Sequence, residues 1–251
     1  MKVHSFPSLV RGKLVKRYKR YLADVILECG TEITCHCPNP GRMSSILPEP
    51  KAVYLTDLRA IPNPKRKLDY RWELAQTDEA LVVVNTQIAN RAALALLTNE
   101  EQVRRKVLLD DSKTLRSEVS LKVPDGQKKT RFDFAIFDAE DVQMYIEVKQ
   151  VSLRVADEKG ARMAAFPDAV TARGLRHLQE LEGLVRSGVP TTLLYMVGRN
   201  DVDAVRPATE IDPKYSEALL RAHQAGVAII ACGLEATLDG LYFRDFLPVH
   251  L

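Results

Sequence analysis

The first 84 residues alternate short apolar runs with turn-forming residues, a pattern typical of short β-strands. The apolar runs lie at 18–29, 33–37, 53–55, 68–74 and 81–84. In the fourth run, Trp72 and its apolar neighbours alternate with charged residues, which predicts a half-buried strand because successive side chains point to opposite faces. Gly30 marks a hairpin turn between the first two runs. About five short strands in this stretch predict a small barrel of the OB-fold type.

The pattern changes after Asn85. Helices are predicted at 88–97 and 213–225, and strands at 115–123, 130–138, 142–153, 191–197 and 227–232. Asp168 stands in the N-cap position before a further amphipathic run, which Gly188 ends. A turn is predicted at 124–126. This order predicts an α/β domain around a mixed sheet, and we divide the chain into domains 1–81 and 82–251.

Several classes of protein are excluded by composition. No apolar run approaches the roughly 18 residues of a membrane span, and the N-terminal residues lack the features of a secretory signal. Four cysteines in 251 residues do not form a disulfide framework. We therefore expect a soluble cytoplasmic protein without a membrane partner. The sequence leaves the oligomeric state open, with a homodimer among the alternatives.

Positive charge is concentrated near the N-terminus. The net charge is +3: residues 1–81 carry +5, and the remaining residues carry −2. Weaker clusters lie at 65–67, 104–106 and 128–131. The densest cluster has six cations within ten residues, namely Arg11, Lys13, Lys16, Arg17, Lys19 and Arg20. Cation clusters suit a polyanion, because each neutralised phosphate releases counterions. We expect this segment to bind DNA, although a solvated face is the alternative for any one cluster.

Aromatic side chains accompany these cations. Tyr18 and Tyr21 are candidates for stacking on bases. Further along the chain, Arg173 and His177 stand one helical turn apart on the predicted polar side of their helix. Both are candidates for contact with a phosphate, and the alternative is again a solvated face.

Two acids and a lysine carry the chemistry that the sequence suggests. Glu147 and Lys149 lie two residues apart on a strand, so their side chains leave the same face. If the strand of Asp133 pairs with this strand as a hairpin, Asp133 reaches the same edge. Two carboxylates offer oxygen ligands to Mg²⁺ or Mn²⁺, and the lysine can help to activate a metal-bound water. Glu118, on the preceding strand, is a further candidate carboxylate.

The spacing of these residues resembles the core of the PD-(D/E)XK nucleases. Asp133 precedes Glu147 by 14 residues, and Lys149 follows after one residue. Phe132 stands where that core has proline. An ordinary exposed Glu/Lys pair on a strand is the alternative interpretation.

Four longer segments resemble the sugar fermentation stimulation protein A family. They lie at 17–25, 36–43, 145–153 and 166–174. The chain departs from the family at Pro40, where a threonine is usual, and at Gln150, where a small polar residue is usual. The resemblance implies an N-terminal OB-fold, a C-terminal nuclease-like domain, DNA binding and a link to sugar metabolism. It is compatible with metal-dependent hydrolysis of DNA, or with a non-catalytic DNA-binding regulator of sugar (maltose) metabolism.

Overall fold

The computed structural model describes residues 1–121, 130–156 and 160–251. The turn expected at 124–126 and the cations Lys128 and Lys129 lie outside these ranges. The strands are β1 (Lys2–Ser5), β2 (Leu9–Tyr18), β3 (Leu22–Leu27), β4 (Glu32–His36), β5 (Ala52–Asp57), β6 (Tyr70–Gln76), β7 (Leu81–Val83), β8 (Thr114–Ser120), β9 (Arg131–Asp138), β10 (Asp141–Val151), β11 (Leu153–Ala156), β12 (Arg162–Phe166), β13 (Thr191–Val197), β14 (Ala204–Pro207), β15 (Ala228–Ala236) and β16 (Gly240–Leu247). The helices are α1 (Gln87–Asn99), α2 (Glu101–Lys106), α3 (Ala172–Arg186) and α4 (Pro213–Ala225).

Strands β2 to β6 form a closed barrel. Their order is β4-β3-β2-β5-β6, and a parallel contact between His36 of β4 and Arg71 of β6 closes the ring. Strand β7 extends the barrel beside β6. Trp72, fully buried, lies in the barrel core with Val25 and Leu55. A small closed barrel of short strands is the OB-type architecture predicted from the sequence.

A seven-stranded mixed sheet organises the rest of the molecule. Its order is β1-β16-β15-β13-β10-β9-β8, with parallel pairing among β10, β13 and β15 and antiparallel pairing elsewhere. Helix α1 packs on one face, where Leu194 is buried. Helices α3 and α4 pack on the other, where Leu193 and Tyr195 are buried. Both faces are covered, so every residue of β13 is buried. The predicted α/β class with a mixed sheet is confirmed.

The first strand does not belong to the barrel. Strand β1 pairs with β16 at the edge of the seven-stranded sheet, with Lys2 opposite Tyr242. The predicted domain 1–81 grouped these residues with the barrel, but 2–5 lie in the large sheet. A four-residue strand carries too little periodicity to reveal its partner. The chain therefore leaves the large sheet after β1, forms the barrel, and returns to the large sheet at α1.

The basic cluster occupies a strand that the sequence pattern did not reveal. One strand was expected at 18–29, whereas β2 ends at Tyr18 and β3 begins at Leu22. Lys19 and Arg20 form the turn between them with φ of 46° and 66°. Positive φ is uncommon for such residues, so the sequence carried no ordinary turn signal. Six of ten positions are cationic in 11–20, which masked the alternation of β2.

The helix predicted after Asp168 begins later than expected. Thr171 is the N-cap of α3, and its side chain accepts a hydrogen bond from the Gly174 amide at 3.0 Å. Asp168 lies before the helix and instead accepts a hydrogen bond from the Met43 amide at 3.2 Å. Both residues are good N-cap types, so the choice between them depended on a tertiary contact.

Strand β6 is buried on both faces, not half-buried. Glu73 is 1% exposed, and its carboxylate accepts hydrogen bonds from Arg71, Thr56 and Asn85. A charged residue can occupy a buried position when its oxygens are satisfied in this way. The alternation of charge in the sequence therefore predicted the strand correctly and its exposure incorrectly.

Several short or terminal elements were not predicted from the sequence. These are β1, α2, β11, β12, β14 and β16. Strands β11, β12 and β14 form a small third sheet. Across 1–121, 130–156 and 160–251, no helix has the length and apolar character needed to traverse a bilayer.

Candidate active site

The hairpin of β9 and β10 brings the predicted acids together. Ala135 pairs with Tyr145 and Phe134 with Ile146, and the pairing ends there, directly before Asp133 on β9 and Glu147 on β10. The Asp133 carboxylate accepts a hydrogen bond from the Val148 amide at 2.8 Å. Asp133, Glu147 and Lys149 therefore lie close together where this pairing ends, as the expected hairpin of the two strands predicts.

Asp133 is held by two donors. Besides the Val148 amide, the side-chain amide of Asn90 on α1 donates to Oδ1 at 2.6 Å. Burial and the neighbouring Glu147 carboxylate raise the pKa of Asp133, and these two hydrogen bonds and Lys149 oppose the rise. Each carboxylate oxygen retains a further lone pair, so both remain available to a cation.

Glu147 is almost fully enclosed, at 3% exposure. Its Oε1 accepts a hydrogen bond from the Lys149 ammonium and lies 2.5 Å from Nδ1 of His177 on α3. Burial raises the pKa of Glu147, but the His177 hydrogen bond and the Lys149 charge outweigh burial, and the pKa lies below its ordinary value. The carboxylate therefore stays ionised.

The second oxygen of Glu147 has no partner. Its Oε2 is buried without a hydrogen bond, and leaving a buried carboxylate oxygen unsatisfied is costly. Within the described ranges, no three His, Cys, Asp or Glu side chains gather as a metal cage. The donor set is two carboxylates. That set fits Mg²⁺, which usually retains several waters and takes one or two carboxylates from the protein.

Glu118 stands at the margin of this cluster. In the β8–β9 register its neighbours Ser117 and Val119 pair with Phe134 and Phe132. Glu118 has a positive φ of 57°, and its carboxylate forms an ion pair with Arg131 at 2.6 Å. It is half exposed. Glu118 therefore lies beside the cluster, but its carboxylate is paired with Arg131.

His177 does not lie on a polar helix face. It is 2% exposed, against Glu147 and the edge of the Phe132 ring. The prediction that it lies on the polar side of the helix is wrong, and as a buried residue it offers no surface on which a phosphate could bind. The sequence did carry a signal, since Leu178 and Leu181 share the buried stripe of α3. Arg173 is exposed on the same helix, apart from this cluster.

The partners of the two acids were not predicted from the sequence. Asn90 and His177 join the acids from helices that cover opposite faces of the sheet. Nothing in the helical pattern around Asn90 distinguishes it from any polar residue on a surface helix. Only the placement of α1 over β10 reveals its contact with Asp133.

A cavity of about 220 Å³ opens beside the cluster. Lys149 and Asn90 form the wall nearest the acids, and Pro40 and Gly41 contribute the wall from the barrel. Asp168, in contact with Gly41, belongs to the same wall. The cavity therefore lies in a cleft between the barrel and the large sheet.

The barrel loop at this cleft is held firmly. The Arg17 guanidinium donates to the carbonyl oxygens of Arg20 and Asn39, both at 2.7 Å. Asp168 contacts Gly41 so closely that a Cβ there would lie 1.9 Å from its Oδ2. Burial raises the pKa of Asp168, opposed by the hydrogen bond from the Met43 amide. Only glycine fits position 41 without displacing this carboxylate.

The other cations of the basic cluster lie at the surface. Arg11 pairs with Glu28 at 2.9 Å, and Lys16 lies 3.4 Å from Asp24 and over the Tyr18 ring. A further group is exposed, namely Lys13, Lys19 and Arg20. Tyr21 is 43% exposed next to the turn. Arg17 was also predicted as a DNA contact, but its guanidinium is hydrogen-bonded to the loop carbonyls.

The comparisons with known proteins agree with this architecture. A family model described as "SfsA N-terminal OB domain" matches residues 15–84. A second, described as "Sugar fermentation stimulation protein RE domain", matches residues 87–240. The solved structure of Pyrococcus furiosus SfsA in complex with Ca²⁺ has a TM-score of 0.82 and 23% identity, covering 100% of both chains. That likeness shows a shared fold.

Similar sequences extend over nearly the full length. The sugar fermentation stimulation protein homolog of Pseudomonas syringae pv. tomato is 42% identical over 247 residues, which is 97% of each chain. The homolog of Alteromonas mediterranea is 41% identical over 251 residues and 98% of each chain. With both domain models matched in order along the chain, the protein belongs to the sugar fermentation stimulation protein family.

Proposed function

We propose that this protein binds DNA and hydrolyses its phosphodiester bonds with a divalent metal ion held by Asp133 and Glu147. The observation that carries the proposal is the buried, unpartnered Oε2 of Glu147 beside a second carboxylate and a lysine. An ordinary Glu/Lys ion pair on a strand lies at the surface. It would not bury the glutamate with one carboxylate oxygen left without a hydrogen bond. A cation supplies the missing partner.

Each residue of the cluster has a distinct role in this proposal. A bound Mg²⁺ or Mn²⁺ supplies Lewis-acid stabilisation of a phosphoryl oxygen and an acidified water. Lys149 orients the attacking water and offsets negative charge that develops on the phosphoryl group. Asn90 fixes the Asp133 carboxylate, and His177 fixes Glu147. Support for the metal comes also from the Pyrococcus furiosus SfsA structure, which is a complex with Ca²⁺.

DNA binding is proposed for the outward face of the barrel. The exposed cations of β2 and its turn lie beside Tyr21, and cations beside aromatic rings suit a single strand or a groove edge. Arg173 is a further candidate, because it is exposed on α3, which also carries His177. Such a surface predicts binding without strong sequence preference, since it offers contacts to phosphates and ring faces.

The decisive experiment is cleavage of DNA by the purified chain. Single-stranded, duplex and branched DNA are incubated with Mg²⁺ or Mn²⁺, with EDTA as a control. Lys149→Ala should abolish cleavage and leave DNA affinity nearly intact, because one lysine among many contributes little to polyanion binding. Lys214→Ala, an exposed lysine on α4, is the matched control and should cleave normally.

Asp133→Asn tests the metal separately. It should remove metal binding together with cleavage, since an amide is a poorer ligand than a carboxylate for a hard dication. Wild-type protein that binds DNA but cleaves none of these substrates with either metal would refute the nuclease. That result would favour a non-catalytic DNA-binding regulator.

A further inference from the structure

We infer that the cleft beside Lys149 receives a single unpaired nucleotide of the DNA, so that the preferred substrate is unpaired next to the scissile phosphate. This inference rests on the proposed function and specifies its substrate class. It follows from the position of the cavity, its size and the chemistry of its walls.

Position is the first argument. Lys149 and Asn90 line the cavity, and both contact the acid cluster, Lys149 through Glu147 and Asn90 through Asp133. The cavity therefore adjoins the place where the acids would hold a phosphate through a metal ion. A nucleoside attached to that phosphate would stand at the mouth of the cavity.

Size is the second argument. The cavity has about 220 Å³, below the roughly 300–1,000 Å³ of pockets that bind drug-sized ligands. The barrel loop at Pro40 and Gly41, with Asp168 in contact with Gly41, forms one wall, and residues of β10 and α1 form another. A base pair within a duplex is too large for such a space, whereas one base that has left the stack can enter a small pocket.

The walls match a nucleobase. Apolar surface comes from Pro40, Ala89 and Leu153, which suits the faces of a planar ring. Acceptors accompany this surface: the Gln150 side chain lines the cavity and its buried Oε1 has no hydrogen bond, and the Asp168 carboxylate, which accepts one hydrogen bond from the Met43 amide, lines it as well. Acceptors call for N–H donors, which an unpaired base presents on its exposed Watson–Crick edge.

Two other polar side chains of the cleft are already engaged. The Asn39 amide donates to the Val84 carbonyl and accepts from the Gly41 amide, and the Thr86 hydroxyl donates to Pro38. These groups shape the walls and do not compete for the ligand. The cleft therefore offers a fixed frame with two acceptors, which needs little reorganisation on binding.

The first test measures binding without cleavage. A 2-aminopurine is placed in a matched duplex, at an unpaired position of an otherwise identical duplex, and in the single strand, all in EDTA. We expect the wild-type chain to change the fluorescence of the unpaired base and to bind the unpaired forms about tenfold more tightly, because a paired base must first be extruded from the stack. Equal affinity for all three, with no fluorescence change, would overturn the inference.

The second test closes the cleft from its rim. Pro40→Trp places a large ring at an exposed loop position and should remove the preference for unpaired DNA. Pro64→Trp changes an equally exposed proline outside the cleft and should retain it. Circular dichroism checks the fold of both variants. A preference that survives in folded Pro40→Trp would count against the cleft.

The outcomes separate this inference from the nuclease proposal. If unpaired DNA is preferred in EDTA but no metal supports cleavage, the cleft inference stands and the nuclease fails. If DNA is cleaved at equal rates whether paired or unpaired, the nuclease stands and the cleft inference fails.

Discussion

Glu147 depends on His177 for its orientation. One oxygen of the carboxylate contacts both His177 and Lys149, and this leaves the other oxygen without a partner. Partners of this kind fix the direction of a metal ligand, and removing them commonly costs about 10–100-fold in metal affinity. His177 is thus a positioning residue in the proposed site.

His177→Phe should weaken Mg²⁺ and Ca²⁺ binding by about tenfold or more, because the ring volume is retained while the hydrogen bond is removed. Titration calorimetry measures the affinity. His177→Asn, which keeps a donor near the Nδ1 position, should recover part of it. His223→Phe, on the exposed face of α4, is the control. Unchanged metal affinity in His177→Phe would contradict the role assigned to it.

Strand periodicity predicted the convergence of Asp133, Glu147 and Lys149, because parity on β10 and the hairpin with β9 are local properties of the sequence. The partners of these residues were not predictable in the same way. Asn90 lies 43 residues from Asp133 in the sequence, and His177 lies 30 residues from Glu147. Only the tertiary packing of their helices brings them into contact. Local pattern reveals which face a residue occupies, but not which helix will cover it.

At the scale of elements, β2 and the turn after it carry the densest cluster of cations in the barrel. The strand and its turn expose Lys13 and Lys19, and Lys16 has only a partly screened ion pair with Asp24. Arg17 is different, since it donates to three carbonyl oxygens and orders the loop beside the cleft. Replacing Arg17 would change both the charge and the loop, so it is left out of a charge test.

The triple variant Lys13→Gln, Lys16→Gln, Lys19→Asn should weaken DNA binding at all sequences and flatten its salt dependence. The slope of log affinity against log salt should fall by about 0.7 to 0.9 for each phosphate that the variant no longer neutralises. Asparagine is chosen at position 19 because it tolerates the positive φ found there.

The control triple carries the same reduction of charge on helices α3 and α4, with glutamine at the exposed positions Arg186, Lys214 and Arg221. Fluorescence anisotropy over a range of salt concentrations measures both variants. If the two triples weaken binding equally, the effect is one of net charge and β2 is not the binding face.

At the scale of the whole molecule, Arg199 joins the barrel to the large sheet. It is 2% exposed, with a two-point ion pair to Asp201 at 2.6 and 2.7 Å. Its remaining nitrogen donates to the Ser45 hydroxyl at 3.0 Å and to the Ser152 carbonyl at 2.7 Å. Ser45 lies in the region of the OB-domain model, and Ser152 in that of the second model.

Arg199→Leu should lower the free energy of unfolding by about 3–5 kcal/mol, because it leaves the buried Asp201 without its main partner. Arg199→Leu combined with Asp201→Asn should cost less, since the uncompensated charge is gone. Arg162→Leu breaks the exposed pair with Asp203 and should cost less than about 1 kcal/mol. Urea denaturation measures all three, and equal destabilisation by Arg199→Leu and Arg162→Leu would contradict the assignment.

The pairing of β1 with β16 has a consequence for the order in which the protein can fold during synthesis. Strand β1 leaves the ribosome before the barrel strands, but its partner begins at Gly240. The barrel strands, in contrast, pair with near neighbours along the chain and can close as soon as they emerge. During synthesis, β1 therefore remains without its partner strand while the barrel has already formed. Completion of the seven-stranded sheet therefore awaits the synthesis of β16.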